Sequence, residues 1–70
     1  MKERFMKRLE ELRKEKGLSK NELGALIGRG KDSGIIGKYE RGENEPGMSV
    51  IFALCEILGC TADYLIGRED

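Results

Sequence analysis

Residues 19–42 read SKNELGALIGRGKDSGIIGKYERG, and what this stretch folds into settles the rest of the chain. Its first four residues, Ser19 to Glu22, fit a capping box. A Ser hydroxyl there accepts from the backbone N–H three residues on while the Glu side chain reaches back to the Ser N–H. Such a box opens a short helix that carries Leu23, Leu26 and Ile27 and stops at Gly28. Gly28 to Gly42 then holds five glycines and six charged residues, four of them cationic. It has to be a phosphate-cradling loop, a flexible linker or a segment that meets a polyanion. A further helix is predicted to start near Asp32 or Ser33, either of which suits the N-cap, and to bury Ile36 and one face of Tyr39 before Gly42 ends it.

The phosphate-loop readings fail on spacing. A P-loop needs two glycines separated by four residues, then Lys and a hydroxyl residue, between a strand and a helix. Gly24 to Gly30 is one residue too long, Asp32 stands where the hydroxyl belongs, and a helix comes first. The dinucleotide fingerprint fails in the same way, with its last glycine one place late at Gly34. Nucleophilic catalysis lacks its parts, because the chain has no His and no Ser or Cys has an evident base. The chain reads as a non-enzyme that needs no cofactor.

Helical signals continue on both sides. Phe5, Leu9 and Leu12, with Met6 alongside, follow the i, i+4, i+7 spacing of an amphipathic helix over roughly 2–16, which Gly17 stops. ENEPG, residues 43–47, is a connecting loop. Met48, Ile51, Phe52, Cys55 and Leu58 recur at helical spacing before Gly59, and a last short helix is capped by Thr61 and ends at Gly67. The prediction is an all-α protein of five helices in 70 residues, one domain over 1–70, with no alternating apolar pattern, internal repeat or linker.

Composition narrows the function class. The longest apolar runs, such as VIFALC at 50–55, are far too short to span a membrane, and the charged N-terminus does not suit a signal peptide, so the chain reads as cytosolic. Cys55 and Cys60 stand five apart with no histidine, which argues against a metal site and for small, buried, reduced thiols. Net charge is zero, but residues 1–41 hold twelve Lys/Arg against seven Asp/Glu, while residues 42–70 hold one against six. That asymmetry points to a polyanionic partner for the first half.

Two short helices joined by a glycine turn, the second one basic, carry a resemblance. RLEELRKEKGLSKNELGALIG, then IIGKYERG, then PGMSVIFALCEILGCTADYLIG are similar to the helix-turn-helix domain of phage repressor and Cro type, the XRE-like regulators, over Arg8 to Gly67. The most specific elements are KGLS, KYERG and DYLIG. The resemblance implies a compact five-helix bundle of the lambda-repressor-like type, with the helix-turn-helix core at about 19–41. It also implies a sequence-specific double-stranded DNA-binding transcriptional regulator acting as a homodimer. A protein-interaction or antitoxin-like module on the same fold, with weakened DNA readout, stays open beside it.

The same resemblance assigns roles. Gly24 falls where the motif has a small Ala, Gly28 on the turn glycine, Ile36 on the buried aliphatic of the recognition helix, and Cys55 and Cys60 on small apolar core positions. Arg13 and Glu40 match a salt bridge tying helix one to helix three. Lys20 takes the phosphate-contacting place, Asp32 the cap of helix three, Ser33 and Gly34 the leading base-reading places and Lys38 the base-reading place one turn later. Arg41 is assigned to the DNA backbone, and Arg29, Lys31 and Asn44 complete the expected contacts. Independently of the resemblance, Phe52, Ile57, Tyr64 and Ile66 give more apolar surface than one small core must bury and are the expected dimer surface, with the core as the alternative place for some of them. Three features depart from the family pattern: the turn before KYE is two residues longer, Gly34 and Gly37 weaken helix three, and Glu43 and Glu45 follow it where relatives often have basic residues. We therefore expect a loosely held recognition helix that orders on DNA.

Overall fold

The N-terminal amphipathic stripe becomes α1 (Lys2–Glu15), whose buried residues Phe5, Leu9 and Arg13 recur every four positions. The computed structural model describes residues 2–30 and 34–69. The remaining helices are α2 (Lys20–Leu26), α3 (Ile35–Glu40), α4 (Met48–Leu58) and α5 (Ala62–Leu65). All regular structure among the described residues is helical. No helix among them is long and apolar enough to cross a membrane.

Local chemistry sets the helix starts. The Ser19 hydroxyl accepts from the Glu22 N–H at 3.0 Å, and Glu22 Oε1 accepts from the Ser19 N–H at 2.8 Å, closing the capping box of α2. The Ser19 backbone N–H, followed by its hydroxyl, holds the Glu22 carboxyl below its ordinary range. Thr61 caps α5 by accepting from the Tyr64 N–H at 3.0 Å. The start of α3 departs from the sequence prediction: the N-cap is Gly34, at φ 73°, with no side-chain cap, and the helix opens at Ile35. Asp32 and Ser33 lie outside the described residues.

Packing gives each helix one fully buried aliphatic side chain: Leu9, Leu23, Ile36, Leu54 and Leu65 in chain order. Burying one such side chain stabilises by about 1.5–3 kcal/mol, so five short helices share one core that none of them sustains alone. α1 packs on α3 and α5, α2 on α3, and α4 on α5. Phe5 and Tyr39 meet edge-on across α1 and α3, with centroids 6.5 Å apart. Three side chains depart from their predicted stripes. Leu26 is 57 % exposed because α2 docks through Leu23, Gly24 and Ile27, and Leu26 lies on the other side of Leu23 from that pair. On α4 the buried stripe is Ile51, Leu54 and Leu58 with Val50, which leaves Met48 and Phe52 each 57 % exposed along its edge.

A polar pair is buried with the core. Arg13, 7 % exposed, donates through Nε to Glu40 Oε2 at 2.7 Å, through Nη2 to Oε1 at 3.4 Å, and through Nη1 to the Leu18 carbonyl at 2.9 Å. It therefore joins α1, the turn that leads into α2, and the end of α3. Gly42, just past α3, sits at φ 75°, and a Cβ there would stand 2.8 Å from Met6 Sδ on α1. The backbone conformation is what strains a side chain there, since the close approach is to the flexible end of Met6.

Two stability outcomes follow from these contacts. A Cβ on Gly24 would meet Ile35 and Ile36 at an ordinary 3.7 Å, so Gly24→Ala should stabilise by about 0.5–1 kcal/mol through helix propensity, read as a higher urea midpoint. Arg13→Met leaves the Glu40 carboxylate buried without its partner and should cost about 3–5 kcal/mol. Combined with Glu40→Leu, it should recover most of that loss.

Candidate nucleic-acid interface

α2 ends on a tight reversal. Ile27 is the C-cap, Gly28 turns at φ 80°, and the Arg29 N–H returns to the Gly24 carbonyl at 2.8 Å. The chain then stays close to α2, since a Cβ on Gly30 would lie 3.4 Å from Ala25 Cα. Arg29 is exposed on this turn. Lys31, Asp32 and Ser33, three of the expected contact residues, lie outside the described residues.

α3 is short but sharply two-faced. Ile36, Gly37 and Tyr39 are buried, whereas Gly34, Lys38 and Arg41 are exposed. The last three stand at i, i+4 and i+7, which places them on one side of the helix. Lys20, the first residue of α2, is exposed beside them, and its Cδ lies 3.7 Å from the point where a Cβ of Gly37 would be. Arg41 Nη1 lies 2.8 Å from the same point. The missing side chain of Gly37 thus lets Lys20 and Arg41 converge where α2 meets α3.

The end of α3 is closed by a run of backbone hydrogen bonds. The Gly42 N–H donates to the Tyr39 carbonyl at 3.1 Å and the Glu43 N–H to the Lys38 carbonyl at 2.9 Å, with the Asn44 N–H directed at the same carbonyl at 3.5 Å. Asn44 is thereby held beside the exposed face of α3. Glu43 Oε2 accepts from Arg41 Nε at 2.5 Å. The hydrogen bond from Arg41 lowers the Glu43 carboxyl, and the same bond followed by the charge of Glu43 raises the Arg41 guanidinium. The sequence places an acid in this loop but gives no sign of the pairing, which depends on the way Arg41 folds back over Gly37.

The residues expected to form a dimer surface separate. Phe52 is exposed, while Ile57 and Ile66 are half-buried against the core. Tyr64 is half-buried with the Arg8 guanidinium 4.0 Å above its ring, and Arg8 also donates to the Tyr64 and Glu69 carbonyls. Met48, which the sequence reading put in the core stripe, joins Phe52 at i, i+4 on the outer edge of α4. Beside them Phe5, Pro46, Met48, Ile51 and Ile66 line an apolar hollow of about 210 Å³. Cys55 and Cys60 are half-buried free thiols at the α4–α5 turn, and burial raises both, Cys60 to about 11. At neutral pH they are therefore protonated and weakly nucleophilic.

A family model described as helix-turn-helix matches residues 9–65, a span that takes in every contact just described except those of the first eight residues, Ile66 and Glu69. No curated protein and no solved structure matches the chain. With a matched span that covers most of the sequence and five helices arranged as that motif requires, the chain belongs to the helix-turn-helix family of XRE-like DNA-binding domains.

Proposed function

We propose that the protein is a sequence-specific regulator of transcription, a repressor of phage or bacterial type, that reads a double-stranded operator as a homodimer in the cytoplasm. One observation carries the reading: α3, the second helix of the helix-turn-helix pair, presents Gly34, Lys38 and Arg41 on a single exposed side with Lys20 next to it. A helix so placed enters the major groove with its first turn and outer side toward the bases. Lys38 reads a guanine through O6 and N7, and Ser33 takes a second base-reading place. Gly34 brings backbone alone to the groove. Lys20, Arg29, Lys31, Arg41 and Asn44 hold the sugar–phosphate backbone and set register without reading sequence.

A single module of this size covers few base pairs, so useful affinity calls for two half-sites about one helical turn apart. Exposed Met48 and Phe52, with the adjoining hollow and the half-buried Ile66 that lines it, form the surface we assign to the second copy, and Ile57 and Tyr64 of the expected set lie apart from it. The core of one copy leaves Met48 and Phe52 each more than half exposed. A protein-interaction or antitoxin-like module on the same fold is the second reading. The pairing of Arg41 with Glu43 and the zero net charge favour it.

Selection of bound sequences from a randomised duplex pool at two salt concentrations separates the two. The regulator reading expects an enriched palindrome. Lys38→Ala should then lose about 1–3 kcal/mol of discrimination at one position of each half-site, and Lys20→Ala should weaken all sequences alike while flattening the salt dependence by about 0.9 in log–log slope. Absence of enrichment supports the interaction module. Sedimentation of the free protein tests the partner: Phe52→Lys should shift a dimer to monomer and weaken palindrome binding far more than half-site binding.

A further inference from the structure

Arg41 is a cation on this face whose charge already has a partner within the chain. Its guanidinium lies back over Gly37 toward Lys20, and its Nε edge is occupied by Glu43 Oε2 at 2.5 Å. Both side chains remain more than half exposed, at 55 % and 53 %. The acid is nevertheless held in place, because its own N–H is bonded to the Lys38 carbonyl at the end of α3. A carboxylate offers a guanidinium the same acceptor geometry as a pair of phosphate oxygens.

We propose that Glu43 is an internal phosphate mimic that occupies the Arg41 edge a DNA phosphate takes, and so sets the affinity of the recognition face for duplex DNA. The proposal rests on the DNA-binding reading above. Binding exchanges one anion for another at Arg41: the Glu43 carboxylate swings out to water as the phosphate arrives. The net gain from Arg41 is then the difference between two similar pairs rather than a full new contact. Glu43 also stands near Lys38, whose charge contributes to lowering its carboxyl after that of Arg41. Protein and DNA therefore compete for a corner made of Lys20, Lys38 and Arg41. Because the competition is over a backbone contact, it changes affinity for all sequences by the same factor and leaves base choice to the groove-facing residues. A module with this acid is held back from indiscriminate adhesion to DNA, which a basic residue at the same place would promote.

The test compares three substitutions by duplex binding across a salt series. Glu43→Gln keeps the shape and removes the charge. It should tighten binding to matched and random duplexes alike by about two- to fivefold, the factor that corresponds to an exposed ion pair, with a log–log salt slope steeper by up to about 0.9. Glu45→Gln removes the same charge two residues on, away from Arg41, and should give a clearly smaller gain. In an Arg41→Ala background, Glu43→Gln should give no more than Glu45→Gln does. Equal gains from Glu43→Gln and Glu45→Gln, or a gain that survives the loss of Arg41, would show general loop charge and overturn the mimic. Wild-type binding that Glu43→Gln leaves unchanged overturns this inference alone. Failure of every variant to bind any duplex at low salt overturns the DNA reading and the mimic with it.

Discussion

The guanidinium of Arg13 is the constraint on which the helix-turn-helix depends. Six residues of helix are too few to persist alone, because the nucleation cost is spread over hardly more than one turn of hydrogen bonds. α3 therefore holds its place by what it packs against. Ile36 and Tyr39 supply the apolar part, but apolar contact leaves a short helix free to slide or roll. Glu40, whose side chain is 6 % exposed, removes that freedom through its two oxygens on Arg13. The third bond of Arg13, to the Leu18 carbonyl, fixes the residue just before the cap of α2. One buried cation thus sets the entry of the first helix of the motif and the exit of the second. Such a pair adds little net stability, since desolvation takes back most of what the attraction gives. Its effect is on orientation.

Orientation matters here because the charges cannot steer from afar. The formal charge is zero, with the excess of cations in residues 1–41 balanced by acids beyond. At physiological salt the field of such a chain is screened within about 8 Å, so attraction to a polyanion has to be made at contact. Lys20 and Arg41 come close together where α2 meets α3, at Gly37. Gly37 has no Cβ to separate Arg41 from Lys20, and Gly24 faces Ile35 and Ile36 across the same crossing. Gly37, which lowers the intrinsic stability of α3, is also the place where Lys20 and Arg41 lie close.

Most of the fold was legible in the sequence, and the misreadings have physical causes. The capping box at Ser19, the Thr61 cap and the terminating glycines are local signals that act within one turn, so they survive tertiary packing unchanged. The start of α3 was misread because Asp32 and Ser33 outrank glycine as caps when only propensity is weighed, whereas Gly34 in the left-handed region opens the helix at Ile35. Met48, Phe52 and Leu26 were placed in stripes by spacing alone. Spacing gives a helix its apolar side only to within about one residue's rotation, and on α2 and α4 the neighbouring helices choose among adjacent rows. At the interface, the places of Lys38 and Arg41 came from the family resemblance, and their exposure agrees with the burial of Ile36 and Tyr39. The pairing of Arg41 with Glu43 was not legible, because it requires a side chain to fold back along its own helix.

That pairing also bears on why the face has so little redundancy. A recognition helix with a strong basic surround tolerates error in placement, since phosphates attract it from many positions. In this chain the loop after α3 is acidic at Glu43 and Glu45, and one of its acids already engages the cation at the helix end. Binding then depends on all short-range contacts forming in one register, and a small rotation of α3 forfeits several of them together. The buried Arg13–Glu40 pair, which contributes little to net stability, prevents that rotation. An acidic rim and a buried orienting ion pair are thus two parts of one arrangement: the first makes affinity depend on geometry, and the second supplies the geometry.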